Sequence, residues 1–238
     1  MRVLVINGSP RAKKGMTDVI IRRFLKGAEE AGAEIELVYL ASLEIAHCQG
    51  CLHCWFRTPG VCRHDDDMPG LMRKLFSSDL MVFASPVYMD GMTGQMKTMF
   101  DRFCAYTPPF FEIEGQRSYH PRVSDRDPKV VVISTCGFPE LEHLEAIALH
   151  FKRICANMRA DILGEFYFPA SSLIASDPAL VEPNLRAVER AGREAVEAGA
   201  ISPETVEVAN LDYVGDPVAF NEKINEIFHA LRRHHGAE

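Results

Sequence analysis

Short runs of apolar, β-branched residues alternate along the chain with longer stretches in which apolar positions recur every three or four residues. Val3 to Asn7 is the first such run, and it ends in Gly8-Ser9-Pro10. The periodicity then predicts a helix from Thr17 to about Ala31, with Thr17 as N-cap and Gly32 closing it. Glu34 to Leu40 alternates as a second strand. Asp65-Asp66-Asp67 offers caps and suitably placed negative charge for a helix running to Ser77, and Leu80 to Ala84 is a third, wholly apolar strand. A helix from about Thr93 to Phe103, a strand from Val130 to Thr135, a helix from Leu141 to Met158 and a strand from Ile162 to Phe168 complete the alternation. Apolar strands joined by helices predict a parallel sheet covered on both faces, which is a doubly wound α/β domain.

Two segments fall outside this repeat. Residues 105–128 contain Pro108-Pro109-Phe110-Phe111 and then a polar stretch, long for a structureless connection, which points to a lid, a pocket wall or an interface. Residues 176–238 carry two further helical patterns, Leu180 to Ala198 and Pro217 to Arg233, after the turn-like Ser176-Asp177-Pro178. The expected organisation is a domain over 1–175 followed by a C-terminal helical extension over 176–238.

Composition narrows the partners. A chain of 238 residues that is 47% hydrophobic can bury a sizeable core. Its net charge of -7 gives no electrostatic footprint for nucleic acid or an anionic membrane. The opening run Val3-Leu4-Val5-Ile6 is too short for a signal segment, and no apolar stretch approaches a membrane span, so the expectation is a cytoplasmic protein that works on small molecules or proteins. Seven cysteines argue for reduced thiols or metal ligation over a disulfide framework. Cys104, Cys136 and Cys155 lie in apolar segments and read as small core residues.

Three places carry chemistry. In an open α/β sheet the ligand sits beyond the carboxyl ends of the strands, so the turn from Asn7 to Thr17 lies where a cofactor binds. It has neither a dinucleotide fingerprint nor a Walker motif. Its Ser9 and Thr17 hydroxyls, the Arg11 guanidinium and the amides of a helix N-terminus instead form a nest for a single phosphomonoester. After the third strand, Ser85-Pro86-Val87-Tyr88-Met89-Asp90-Gly91 brackets an aromatic with Pro and Gly, a backbone curve able to wrap a flat ring. The third place is the run Cys48, Cys51, Cys54 and Cys62, separated by two, two and seven residues. Zinc sites usually come as two separated pairs, so this compact triplet with a fourth cysteine suits an iron-sulfur cube better; packed or redox-sensitive thiols without metal are the other reading. His47, His53 and His64 nearby read as surface residues.

Taken together, Gly8-Ser9-Pro10-Arg11 to Thr17, Cys48 to Cys62 with Asp65-Asp66-Asp67-Met68, and Ser85-Pro86-Val87-Tyr88 through Lys97 to Asp101-Arg102 resemble the NADPH-dependent FMN reductase family of the flavodoxin-like superfamily, over roughly residues 1–170. The cysteine run is similar to that of the iron-sulfur flavoproteins, in which four thiolates hold a [4Fe-4S] cluster near FMN. The resemblance implies a flavodoxin-like five-stranded sheet in the order 2-1-3-4-5, with FMN at the junction of the first and third strands. It implies phosphate contacts from Ser9, Arg11, Gly15, Met16 and Thr17, and a flavin loop of Pro86, Val87, Tyr88, Met89, Asp90 and Gly91. Thr135, Cys136, Gly137 and Phe138 are implied on the other side of the ring. Met16 departs from the pattern, since many relatives carry a small polar residue there. The activity so implied takes electrons from NAD(P)H, or from a protein donor, through FMN to a small-molecule or protein acceptor, with no side-chain acid or base required. Cys48, Cys51, Cys54 and Cys62 are implied as ligands of the cluster. A non-enzymatic flavodoxin-like electron carrier and a zinc-stabilised interaction module are the alternatives. The apolar Pro108 to Phe111 patch and the C-terminal helices lead to the expectation of a homodimer or homotetramer.

Overall fold

The computed structural model describes residues 1–124 and 128–235. Its strands are β1 (Arg2–Asn7), β2 (Glu34–Tyr39), β3 (Leu80–Pro86), β4 (Glu112–Glu114), β5 (Arg117–Tyr119), β6 (Lys129–Thr135) and β7 (Asp161–Phe168). Five of them form one sheet, all pairs parallel, in the order β2-β1-β3-β6-β7. Counting the sheet strands alone, that order is 2-1-3-4-5, and it is flavodoxin-like. The helices are α1 (Met16–Glu30), the single turn α2 (His53–Phe56), α3 (Met68–Ser77), α4 (Gly94–Asp101), α5 (Glu142–Met158), the single turn α6 (Leu173–Ser176), α7 (Pro178–Glu197), α8 (Pro203–Ala209) and α9 (Pro217–His234). No helix among the described residues is long and apolar enough to cross a membrane.

Each face of the sheet has its own core, because successive strand residues point to opposite sides. Val3, Val5, Val82, Val131 and Ile133 pack under α1 and the C-terminal helices, while Leu4, Ile6, Phe83, Val130 and Val132 pack under α3, α4 and α5. The C-terminal helices share the first core: Val181, Leu185, Val188 and Phe220 are buried with Ile20, Ile21 and Phe24.

Two glycines set how closely α7 approaches α1. A Cβ on Gly27 would stand 1.8 Å from the Glu189 carbonyl oxygen, and one on Gly192 would stand 2.0 Å from that of Phe24. The helices touch backbone to backbone at both points, which only glycine allows. Arg23 pairs with Glu182 at 2.7 Å and Glu189 at 3.4 Å, Lys26 pairs with Glu189 at 2.6 Å, and Arg193 pairs with Glu30, so charge lines the same seam.

Several sequence expectations shift. The N-cap of α1 is Gly15, in extended conformation, and not Thr17; the helix starts a residue early because the Thr17 hydroxyl is engaged elsewhere. The third strand continues through Ser85 and Pro86, which pair with Ser134 and Thr135. The helix after it stops at Asp101 and tightens into a 3-10 segment, Arg102–Tyr106. The excursion 105–128 contains the antiparallel hairpin β4–β5; its residues 125–127 lie outside the described residues, as do 236–238 of the C-terminal extension. Cys136 and Cys155 are buried as expected, whereas Cys104 is half-exposed and stands with the cysteine segment, because the 3-10 turn presents it outward.

Candidate functional site

The carboxyl ends of β1, β3 and β6 bring three loops to one edge of the sheet. In the first, Asn7 Oδ1 accepts from the Ser9 amide at 2.8 Å and Ser9 Oγ accepts from the Arg11 amide at 3.3 Å, a pair of side-chain turns that folds the chain back above β1. Arg11 remains exposed while Ser9 is buried. A Cβ on Gly15 would stand 2.7 Å from Ser9 Oγ, so the chain can close this tightly over the Ser9 hydroxyl only because residue 15 has no side chain. Met16 and Thr17 form the first turn of α1, where amides have no intrahelical acceptor. The buried Thr17 hydroxyl lies 2.9 Å from that of Thr135. Beneath them, the buried Asp18 carboxylate accepts from Tyr39 at 2.8 Å and from Asn7 at 3.3 Å, and burial together with the Asp18 bond raises the Tyr39 phenol above its ordinary range.

The second loop is a tight hairpin on the end of β3. Tyr88 and Gly91 exchange backbone hydrogen bonds of 2.9 and 3.1 Å, and the two residues between them, Met89 and Asp90, have φ of 49° and 57°. This is a type I′ turn built on two residues other than glycine, a conformation normally left to Gly or Asn, and such strain is held at places where a loop must keep one shape. Met89 is 98% exposed. The base of the loop is fixed: the Val87 amide donates to the Thr135 carbonyl at 2.7 Å, the Thr93 amide donates to Ser85 Oγ at 3.1 Å, and Thr93 Oγ1 donates to the Gly8 carbonyl at 2.7 Å.

The third loop begins with Cys136, whose amide donates to the Phe168 carbonyl at 2.9 Å and whose thiol is pushed up by burial. Gly137 and Phe138 are exposed. Phe138 stacks on His143 with ring centroids 4.3 Å apart, and His143 Nδ1 lies 3.0 Å from Asp90 Oδ1, so the second and third loops are tied across the opening. Thus Ser9, Arg11, Gly15, Met16, Thr17, Pro86–Gly91 and Thr135–Phe138 come together on one edge. Sequence reading missed Thr93 and the Asp90–His143 link. Thr93 was within reach as the N-cap of α4, where its hydroxyl accepts from the Met96 amide.

The cysteine run occupies a separate loop between β2 and α3. Burial raises the Cys54 thiol, and the neighbouring Cys104 thiol is pushed up to about 11, again chiefly by burial. The Trp55 indole donates to the Cys104 carbonyl at 2.8 Å, which docks the loop on the 3-10 segment after α4. Near the start of the loop, His47 Nδ1 lies 2.9 Å from Thr98 Oγ1 on α4. All four cysteines of the run are free thiols. Among the described residues no three Cys, His, Asp or Glu side chains converge on one point able to hold a metal ion.

A cavity of about 740 Å³ lies at the opposite, amino-terminal edge of the sheet, bordered by Met1, Asp79 and Lys129 and walled by Phe103, His120 and Met158. It is remote from the three loops, and the switch-point rule for open α/β sheets favours the loops as the cofactor site despite its size.

Comparison with known proteins identifies the family of the chain and bears on its fold. The family model described as NADPH-dependent FMN reductase matches residues 1–170, and the chain belongs to that family. An iron-sulfur flavoprotein of Archaeoglobus fulgidus is 41% identical over 106 residues, covering 44% of this chain and 47% of the relative. Another, from Methanosarcina thermophila, is 38% identical over 103 residues, covering 43% and 52%. The chain thus spans about half the length of these curated relatives. In fold, it is similar to an NAD(P)H:quinone oxidoreductase from Methanothermobacter marburgensis, with a TM-score of 0.61, 20% identity, and coverage of 82% of this chain and 96% of that one.

Proposed function

We propose that this chain is an FMN-dependent oxidoreductase that takes electrons from NAD(P)H, or from a protein donor, and passes them to a small-molecule or protein acceptor, with Cys48, Cys51, Cys54 and Cys62 holding a [4Fe-4S] cluster. The observation that carries the reading is the convergence of the three loops at the carboxyl ends of β1, β3 and β6, with the chain at Gly15 folded so closely on Ser9 Oγ that a Cβ there would stand 2.7 Å from it. Bound FMN supplies a ring that exchanges hydride with nicotinamide and electrons singly or in pairs with an acceptor.

The chain's own residues do the placing. The Ser9 hydroxyl, the Arg11 guanidinium and the amides of Met16 and Thr17 hold the phosphate, with the Thr17 hydroxyl braced 2.9 Å from that of Thr135. Pro86 to Gly91 holds one edge of the ring with backbone fixed by the Tyr88–Gly91 bonds, and Thr135 to Phe138 closes the other side. Exposed Tyr88 and Met89 leave that opening accessible to a nicotinamide or an acceptor. The cysteine loop fits the cluster in donor chemistry, as four free thiols on one short segment, two of them exposed and two half-buried.

The test is the visible spectrum of the full chain purified without oxygen, followed by titration with NADPH and NADH. Flavin bands over broad iron-sulfur absorption, bleached by either nucleotide, are expected. Flavin that neither nucleotide bleaches makes the protein an electron carrier, and a colourless protein with bound zinc makes it an interaction module.

A further inference from the structure

The neck of the cysteine loop is closed by a buried ion pair. The Arg102 and Asp66 side chains are only 1% and 7% exposed, and the guanidinium engages both carboxylate oxygens. Arg102 Nη1 also donates to the Ala46 carbonyl at 2.8 Å, while Asp66 Oδ2 accepts from the Ala46 amide at 3.0 Å. A second tie lies just outside: the Glu44 amide donates to Asp67 Oδ2 at 2.8 Å and the Asp67 amide to the Glu44 carbonyl at 3.0 Å. Residues 46 and 66 are therefore pinned to one another and to the end of α4, and the segment between them, which holds all four cysteines of the run, leaves that neck and is docked again through His47 and Trp55.

The pair is incompletely satisfied on one side. Arg102 Nε is buried and has no partner, and a buried charge is stable only when its geometry and remaining hydrogen bonds are good. Besides Asp66, the Cys62 thiol lies within electrostatic and hydrogen-bonding reach of the guanidinium. Cys48 and Cys62, the first and last thiols of the run, enter the loop two residues after Ala46 and four before Asp66. The position suits an arginine because its rigid planar fork meets two carboxylate oxygens and a carbonyl in fixed geometry, which the rotatable point charge of a lysine does not reproduce.

We propose that Arg102 is the positioning residue of the thiol loop: locked to Asp66 and Ala46, it holds the ends of segment 47–65 together, and its unpartnered Nε–H and positive charge are the counter-ion of the anionic, thiolate-ligated iron-sulfur cluster that the loop carries. The counter-ion half rests on the cluster reading above. The latch half does not.

The full, FMN-loaded chain as Arg102→Lys and Arg102→Gln separates these halves. In metal-free protein, trypsin is expected to cut the loop at exposed Arg57 and Arg63 about tenfold faster in Arg102→Gln than in wild type, with Arg102→Lys between them, because local opening governs such cleavage. In iron-loaded protein, both variants are expected to lose iron to a chelator faster than wild type. The cluster potential is expected to move to a more negative value in Arg102→Gln and to stay put in Arg102→Lys, since only the first removes the charge. Unchanged cleavage, iron loss and potential overturn the proposal. A wild-type chain without iron removes the cluster and its counter-ion, and the cleavage arm then decides the latch alone. Should Arg102→Gln fail to retain FMN, the cleavage and iron-loss rates of Arg102→Lys decide the matter, and equality with wild type in both counts against the latch.

Discussion

The Thr17 hydroxyl lies 2.9 Å from the Thr135 hydroxyl, and both side chains are buried, so the first turn of α1 is bonded directly to the end of β6. The two residues are 118 positions apart in sequence and belong to different sides of the proposed cofactor cradle. Their bond makes the phosphate turn and the ring-side loop one rigid piece, which is what a site that must hold both ends of one ligand requires.

Replacing Thr17 with Val removes one hydroxyl and leaves the other buried without its partner, which costs about 1–3 kcal/mol. The Thr17→Val/Thr135→Val pair is expected to recover part of that loss, because neither hydroxyl is then stranded. Denaturant unfolding of the four members of this cycle checks it; additive losses would show that the two groups are not coupled. FMN affinity, read by flavin fluorescence, is expected to fall in both single variants.

The glycine contact between α1 and α7 gives a second prediction. With the built Cβ atoms 1.8 and 2.0 Å from backbone oxygens, Gly27→Ala and Gly192→Ala both force the helices apart. Each is expected to lose at least about 1–3 kcal/mol, the range for overpacking, and more because backbone yields less than a side chain. Calorimetry reads the drop in Tm. A change within a few tenths of a kcal/mol would mean that the seam slides freely.

Much of this was legible in the sequence, and the limits have physical causes. The central strands β1, β3 and β6 are legible because buried parallel strands are continuous apolar runs, the edge strand β2 through its alternation, and the loop Pro86–Gly91 through its Pro, aromatic and Gly. The N-cap of α1 falls on Gly15 where the sequence points to Thr17, because a Thr before an apolar-periodic stretch is a good cap on local grounds and nothing local announces a partner at Thr135. Cys104 looked like core because its neighbours Phe103 and Ala105 are apolar, yet the 3-10 turn rotates it toward Cys54. The hairpin β4–β5 is too short, at three residues per strand, to leave a period-2 signature. Asp66 and Arg102 were visible as motif residues, but their pairing is a long-range contact that no spacing rule reports.

Acid is expected to loosen the α1–α7 seam through Glu189. Burial alone would raise its carboxyl, but Lys26 and Arg23 outweigh burial and hold it below its ordinary 4.5. A carboxylate depressed in the folded state stabilises fully above its unfolded value, and that stabilisation fades as pH falls through the lower, folded one. Glu189→Gln is thus expected to melt below wild type at neutral pH, with the gap narrowing from about pH 5 downward. A gap that stays constant to about pH 3 would exclude the ion pairs as its source.

Assembly supplies the last prediction. On β4, Glu112 and Glu114 point to one side, where Arg159 meets them at 3.2 and 2.8 Å. Strand alternation therefore sends Phe111 and Ile113 to the other side, and both are strongly exposed together with Phe110. A hairpin clamped by two ion pairs and presenting an apolar ridge is poorly suited to water, since burying each such side chain is worth about 1.5–3 kcal/mol. In a two-fold symmetric dimer every such contact counts twice. We expect a homodimer or homotetramer that buries this ridge. Phe111→Asp/Ile113→Asp is expected to shift the FMN-loaded protein to a smaller species in light scattering while its flavin content holds, and a wild-type chain that remains a monomer at micromolar concentration with FMN bound would defeat the expectation.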